Sequence, residues 1–390
     1  MMDNNMFAKG GKNILVINSG DRLDCPLLNF FSELSNYDYD FYIYSDKNKA
    51  DQLPGLTFRK KKIYCGPNPE KRLGLILFLI LFLPLLFGNF FVLLYLKKKK
   101  EIKAVICCQT REKIIFTSLA KILNLKIIWL EFPEINYFKM PKIILRLYRS
   151  KAQSAKLINF VNLTKLHLFN LKFKEENIAL IPLGIKLNQP QHQANIFSRL
   201  AKPGKFSFSQ KFFTLGAIVN LSLPNQVENL LAAAKICLEV IPNLQLIVVD
   251  KSEVSAPDKH LLWLVKKLNI DNLVWFVKEQ SNLRKWLDSF DIFINVNEAP
   301  KLANLEIALK AMLAGRPIIG FMNCGFEDLI LDNKTGLLTK AGDSECLAQK
   351  IIELYKNKHL RGHLGKEAKN LVDQNFRLNK TIDEFEKILL

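Results

Sequence analysis

The sequence lacks the phosphate-cradling G-x-x-x-x-G-K-[ST] loop. No G-x-G-x-x-G follows its first apolar strand, where Ser19-Gly20-Asp21 is the only phosphate-loop signal. It also lacks H-E-x-x-H, and its five His are scattered. Nucleotide-cofactor oxidoreductases and metallohydrolases therefore lose support. The seven Cys show no metal-ligand spacing. The adjacent Cys107-Cys108 sits in an apolar run and reads as strand core, and an odd, scattered set suggests reduced thiols and a cytosolic setting. With 17 Gly and 15 Pro in 390 residues, collagen-like and low-complexity architectures are excluded. The first twelve residues are polar, so no secretory leader is expected.

What is present is an apolar, basic chain. Hydrophobic residues make up 49% and charged residues 24%, which is too apolar for disorder and long enough for two or three domains. The net charge of +19 is uneven: residues 1–186 hold 30 basic against 15 acidic side chains, and residues 187–390 hold 26 against 22. An anionic partner for the N-terminal half follows, whether a membrane surface, a phosphorylated substrate or a nucleic acid. Nucleic acid is the weakest of these, because the basic residues are not interleaved with aromatics in a recognisable motif.

One stretch stands apart. Leu73–Leu96 (LGLILFLILFLPLLFGNFFVLLYL) runs 24 residues without a charge, between Lys71-Arg72 and Lys97–Lys100. Length and flanks make it a transmembrane candidate. Yet NILVIN (13–18), DFYIY (40–44) and KAVICC (103–108) read as strands of one parallel sheet, and a single crossing would separate the first two from the third. Basic residues at both ends also suit two ends on the cytoplasmic face. A helix, or a helical pair bent at Pro84 and Gly88-Asn89, embedded in one leaflet is favoured over a buried core helix and over a true span. A second segment, Lys139–Lys156, carries six basic and no acidic residues. With Ile143, Ile144, Leu145 and Leu147 as its apolar side, it reads equally as an interfacial helix or a solvated helix face.

Past residue 100 strands and helices alternate, the pattern of βαβ units and parallel sheets. The polar stretch 188–211 (NQPQHQANIFSRLAKPGKFSFSQK) interrupts it and reads as a linker. The expected organisation is an α/β chain of two Rossmann-like domains facing across a cleft. Residues 1–187 form the first domain with the embedded 73–96 segment, and 212–390 form the second with the terminal helices.

The most specific signal lies in Phe290–Leu347. Asp291 leads a strand, Glu298 follows in a loop, and Lys310-Ala311-Met312 and Gly315-Arg316-Pro317-Ile318-Ile319 come next. Then follow Cys324-Gly325, Asp328, Asp332-Asn333-Lys334-Thr335-Gly336-Leu337-Leu338 and Gly342-Asp343. This ordered series resembles the donor-binding core of retaining glycosyltransferases of family 4, which have the GT-B fold. Weaker similarity extends to EENIALIPLG (175–184), to the strand, loop and helix of Phe213–Ala234, and to the tail Leu354–Leu390. The resemblance implies a metal-independent transferase with no bound cofactor, which uses a UDP- or GDP-linked sugar as co-substrate and a lipid-linked or glycan acceptor. Basic side chains and helix N-termini would stabilise the departing diphosphate, and carboxylates would bind hydroxyls. It implies Glu298 and Lys310 as catalytic, Glu306, Gly325, Asp328, Gly216 and Asn225 as donor-binding, and no metal ligand. Glu131 and Glu134, which follow an apolar strand, are the acceptor-side candidates. The enzyme would sit at the inner face of the cell membrane as a peripheral or monotopic protein.

The chain departs from the family pattern where the chemistry sits. Alignment puts Ala217 and Asn225 where the family has an Arg and a Lys, and Lys310 where it has a helix Glu. Glu306 lies one turn earlier on the same face, and Cys324 replaces the first Gly of the usual pair. Two readings stand: a divergent enzyme in which Lys310 neutralises diphosphate, or a decayed GT-B shell acting as a membrane-associated scaffold.

Overall fold

A computed structural model of the chain describes residues 12–19, 25–37, 39–45, 57–58, 63–70, 72–133, 135, 137, 140–186, 212–221, 225–251, 259–278, 283–297, 301–322 and 325–389. Glu134, Glu298, Cys324 and the polar stretch 188–211 lie outside them. The chain forms two compact units, one of residues 1–183 and 378–390, the other of residues 184–377.

The first unit runs β1 (Lys12–Asn18), α1 (Cys25–Leu34), β2 (Tyr39–Ser45), β3 (Thr57–Phe58), α2 (Arg72–Lys100), β4 (Ile102–Cys107), α3 (Thr110–Ile122), β5 (Lys126–Glu131), α4 (Lys142–Ala152), β6 (Lys156–Asn159), α5 (Asn162–Asn170) and β7 (Ile178–Leu180). Its sheet has the order β3-β2-β1-β4-β5-β6-β7, with every pairing parallel. Parallel strands covered on both faces need continuous apolar runs, and Ile14–Ile17 and Ala104–Cys107 supply them, all buried.

The second unit runs β8 (Phe213–Val219), α6 (Asn225–Cys237), β9 (Leu244–Asp250), α7 (Lys259–Lys267), β10 (Val274–Lys278), α8 (Leu283–Ser289), β11 (Ile292–Ile294), α9 (Leu302–Leu313), β12 (Ile318–Phe321), β13 (Gly336–Thr339), α10 (Ser344–Lys356) and α11 (Lys358–Asn375). Its order is β10-β9-β8-β11-β12-β13, again parallel. In both sheets strand order reverses once, at β1/β4 and at β8/β11. Open α/β sheets bind ligands beyond the carboxyl ends of the strands at such reversals.

Several residues of the family-like series serve this scaffold. Asp343 caps α10 by accepting from Cys346 N at 2.8 Å, after Gly342 turns the chain at φ +80°. Gly315 (φ +69°) forms the turn before β12, and a Cβ on Gly365 would stand 2.2 Å from its carbonyl oxygen, so α11 crosses the turn at backbone contact.

Three sequence expectations need correction. The last helix, α12 (Leu378–Leu389), belongs to the first unit rather than the second. Its amphipathic pattern announces a buried face but not a partner. Ile382 and Phe385 are buried, Phe385 meets Phe30 edge-on at 5.1 Å, and Thr381 Oγ1 donates to Pro182 O at 2.8 Å. Secondly, the break expected at Pro84 and Gly88-Asn89 does not occur: the apolar segment is one helix, α2, the first of the two favoured forms, and it is not the alternative core helix, since of its 29 residues only Phe78, Leu85, Asn89, Leu93 and Leu96 are buried. Thirdly, the apolar residues of α4 do not share a side. Ile144 is buried while Ile143 is 47% exposed, because neighbours on a helix stand about 100° apart.

Candidate functional site

In the second unit the reversal lies between β8 and β11, which pair Leu215 with Ile292 and Gly216 with Phe293. Gly216 is inside β8, where a Cβ would fall 2.0 Å from the Phe290 ring. Close packing thus accounts for this glycine. Ala217 is also inside the strand and fully buried. A cation there would be buried too; the loop begins only at Asn220. Asn225 is the first residue of α6.

Beyond β11 the chain presents Asn295 and Asn297, both buried, with Asn297 Nδ2 donating to Asn295 Oδ1 at 2.9 Å. Among the described residues the buried Asn295 side-chain amide nitrogen has no acceptor. An unmatched buried donor is costly and calls for an explanation. These residues lead through Glu298 to α9, whose N-terminal end lies at this sheet edge. Glu306, in the second turn of α9, is largely buried, and its Oε1 stands 2.8 Å from Lys310 Nζ. The i,i+4 spacing read from sequence does produce a pair, with the ammonium reaching back toward the helix N-terminus.

Gly325 is buried at φ +77°, a conformation that favours glycine. Asp328 does not lie in a helix. Residues 327–329 make a single turn closed by Leu329 N and Ile330 N donating to Phe326 O at 2.9 and 2.8 Å. Thr335 and Gly336 shape a turn: Thr335 Oγ1 donates to Leu329 O at 2.7 Å and accepts from Leu331 N at 2.9 Å, and a Cβ on Gly336 would meet Ile318 O at 2.5 Å.

Sequence reasoning passed over a further cation at this edge. Lys278 closes β10, and its Nζ lies 3.0 Å from Asp250 Oδ2 at the end of β9. Asp250 is buried and also accepts from Leu221 N at 3.1 Å, fixing the first residues after β8. The available signal was positional: charged residues that end apolar parallel strands (LQLIVVD, LVWFVK) fall on the carboxyl edge.

In the first unit Glu131 is the last residue of β5 and has no solvent exposure. It pairs with the equally buried Lys113 at 3.0 Å and accepts from Tyr137 Oη at 2.6 Å and Tyr148 Oη at 2.9 Å. Its oxygens are thus committed to the interior. At the β1/β4 reversal a different group gathers. Glu112 is fully buried and accepts from Ser19 N, and from Cys108 N and Gln109 N at 2.9 Å each. Burial pushes its carboxyl above the ordinary value, against those hydrogen bonds. Arg111 Nε donates to Ser19 Oγ at 2.7 Å and its Nη1 to Gly66 O at 2.6 Å. Gln109 Nε2 reaches Asn18 Oδ1 at 3.4 Å. No spacing in the sequence singled these out, since the topology alone joins residues 19, 66 and 111. Among the described residues, no cluster of three His, Cys, Asp or Glu side chains could hold a metal ion.

Two reversal points, two parallel sheets and a last helix returned to the first unit define the GT-B fold of glycosyltransferases. HepE of Anabaena, crystallised with UDP, matches 97% of this chain and 99% of its own at a TM-score of 0.77 and 16% identity. Residues 210–357, within the second unit, match the family model described as Glycosyl transferases group 1. N-acetyl-alpha-D-glucosaminyl L-malate synthase of Bacillus anthracis is 31% identical over 192 residues, 49% of this chain and 48% of that one. The capsular polysaccharide biosynthesis glycosyltransferase CapM of Staphylococcus aureus is 22% identical over 178 residues, 45% of each chain. These matches span about half the length of the curated relatives.

Proposed function

We propose that the protein is a glycosyltransferase that moves a sugar from a nucleotide-sugar donor, with retention and without metal, to a lipid-linked or membrane-proximal glycan acceptor. The observation that carries this reading is the β8/β11 edge of the second unit, within the segment that matches the glycosyltransferase family. Lys278 and the unmatched Asn295 amide lie at strand ends on that edge, and α9, which carries Glu306 and Lys310, follows from it. A departing diphosphate needs such positive groups, and a helix N-terminus supplies backbone N–H donors for it.

In this reading Glu306 binds donor hydroxyls, and Lys310, held by Glu306, neutralises the diphosphate with Lys278. Glu298, which lies outside the described residues, keeps its proposed catalytic role. The absence of Arg from position 217 then says little about decay, because that position is strand interior. The part of CapM in capsular polysaccharide biosynthesis supports a polymeric glycan acceptor.

Thermal shift against UDP, GDP and their sugars tests the reading. At 100 times its dissociation constant a ligand adds about 2.7 kcal/mol of stability. Lys310→Glu is expected to abolish that shift and Lys310→Arg to retain it. Equal or tighter binding by Lys310→Glu overturns the role of Lys310. No shift with any nucleotide favours the scaffold reading.

A further inference from the structure

The exposed face of α2 is the largest feature that the transferase reading does not use. Within α2 an 18-residue window has a mean hydropathy of 2.7, yet only 17% of it is buried. Leu73, Ile76, Ile80, Leu83, Phe87 and Phe91 are 52–74% exposed. At about 100° per residue, the five buried side chains occupy roughly 80° of the helix circumference, and these six lie on the opposite side. Monomeric soluble proteins rarely leave so long an apolar strip in water.

The helix cannot leave the body of the unit to cross a bilayer. β1 and β4 are paired neighbours in one sheet, and α2 runs directly into β4. Along its length Asn89 Nδ2 donates to Tyr64 O at 3.0 Å, and Lys97 Nζ to Leu123 O at 2.6 Å. Its buried stripe packs against α3 and β4. A span would break all of these contacts.

The charges around the strip specify its partner. Arg72 opens α2, Lys97–Lys100 close it, and no acidic residue lies between. α4, which packs on α3 as α2 does, adds the exposed Lys142, Ile143 and Arg146. Apolar length bounded by cations suits acyl chains beneath anionic headgroups.

We propose that α2 lies in the plane of one leaflet of an anionic bilayer. Its Leu73–Phe91 face enters the acyl region, and the exposed Arg72, Lys98 and Lys99 rest on lipid phosphates. The inserted strip, Leu73 to Tyr95, is about 33 Å long and flat against the membrane. This inference does not require the transferase reading, and its test uses no substrate.

The test is flotation of the full-length protein with vesicles of phosphatidylcholine, or of phosphatidylcholine with about 30% phosphatidylglycerol. Wild type is expected to float, more so with the anionic lipid. Leu83→Asp/Phe87→Asp leaves the buried stripe intact, so it should keep its circular dichroism and melting profile while partition falls at least about 100-fold. Lys98→Ala/Lys99→Ala should lower partition about 30-fold on anionic vesicles and hardly at all on neutral ones. Arg72→Cys and Lys99→Cys, each read against wild-type background, should both label with an impermeant maleimide added outside. Labelling at one end only indicates a span and overturns the proposal. So does a folded Leu83→Asp/Phe87→Asp variant that floats like wild type. A wild type that ignores both vesicles also overturns it, and if that wild type is a dimer dissociated by the double Asp variant, the strip is a contact between two copies.

Discussion

Helices α2 and α9 are both apolar, and each lies in one unit's parallel sheet layer, but they are used in opposite ways. α9 buries seven of its 12 residues against its own unit, and α2 buries five of 29. Apolar composition therefore does not decide where a helix goes; the distribution of neighbours does. α9 is enclosed by α8, α11 and β12, whereas among the described residues α2 packs on α3, β4 and the Tyr64–Gly66 segment through its buried stripe alone. Its open side is the face proposed above to meet a bilayer.

The sharpest way to break this comparison is to put the same charge on each helix. Met312→Asp in α9 buries an unpaired carboxylate among Leu309, Ala308 and their neighbours, and should cost more than about 4 kcal/mol in urea unfolding. Leu83→Asp in α2 should change stability in lipid-free solution by no more than about 0.5 kcal/mol. Equal losses would mean that the α2 face is packed.

Next in size is the contrast between buried and open charge pairs. Glu131→Ala strands Lys113 in the interior and should cost about 3–5 kcal/mol. Glu306→Ala should cost under about 1 kcal/mol, because its partner Lys310 is 41% exposed. Denaturant midpoints of the two variants check this. The returned helix α12 gives a third comparison: Phe385→Ala should destabilise the first unit by about 3–5 kcal/mol and leave the melting of the second unless the units unfold together.

The smallest expected effect is a pH dependence. Burial raises the Glu112 carboxyl above 4.5. A raised acid holds its proton more tightly in the folded state, so its contribution is greatest below the ordinary value and is lost as pH rises through the folded value. Wild type should therefore lose stability relative to Glu112→Gln as pH rises upward from the ordinary carboxylate range. A difference that is flat, or that favours wild type with rising pH, contradicts the assignment.

The two units also differ in how much their sequences disclosed. In the second, turn chemistry is local: Asn333 at φ +59°, Thr335 and Gly342-Asp343 have requirements that the chain states in order. The strands and the Glu306–Lys310 pair were readable for the same reason, since period and i,i+4 spacing are local properties. That Ala217 lies inside the strand was not legible, because an alignment counts residues without knowing that β8 continues to Val219. The first unit hid its chemistry in long-range contacts. Glu131 looked like a strand-end carboxylate at a sheet edge, and only Lys113, Tyr137 and Tyr148 reveal an interior role. The destination of α12 was illegible because an amphipathic face does not name what covers it.

The central claim, that the second unit binds a nucleoside diphosphate sugar, is tested most directly by calorimetric titration of the full chain with UDP, GDP and their sugars, with and without EDTA. The account predicts one-to-one binding of one nucleotide series, unchanged by EDTA and lost in Lys310→Glu. Absence of heat with every nucleotide, from protein that melts cooperatively, would contradict it.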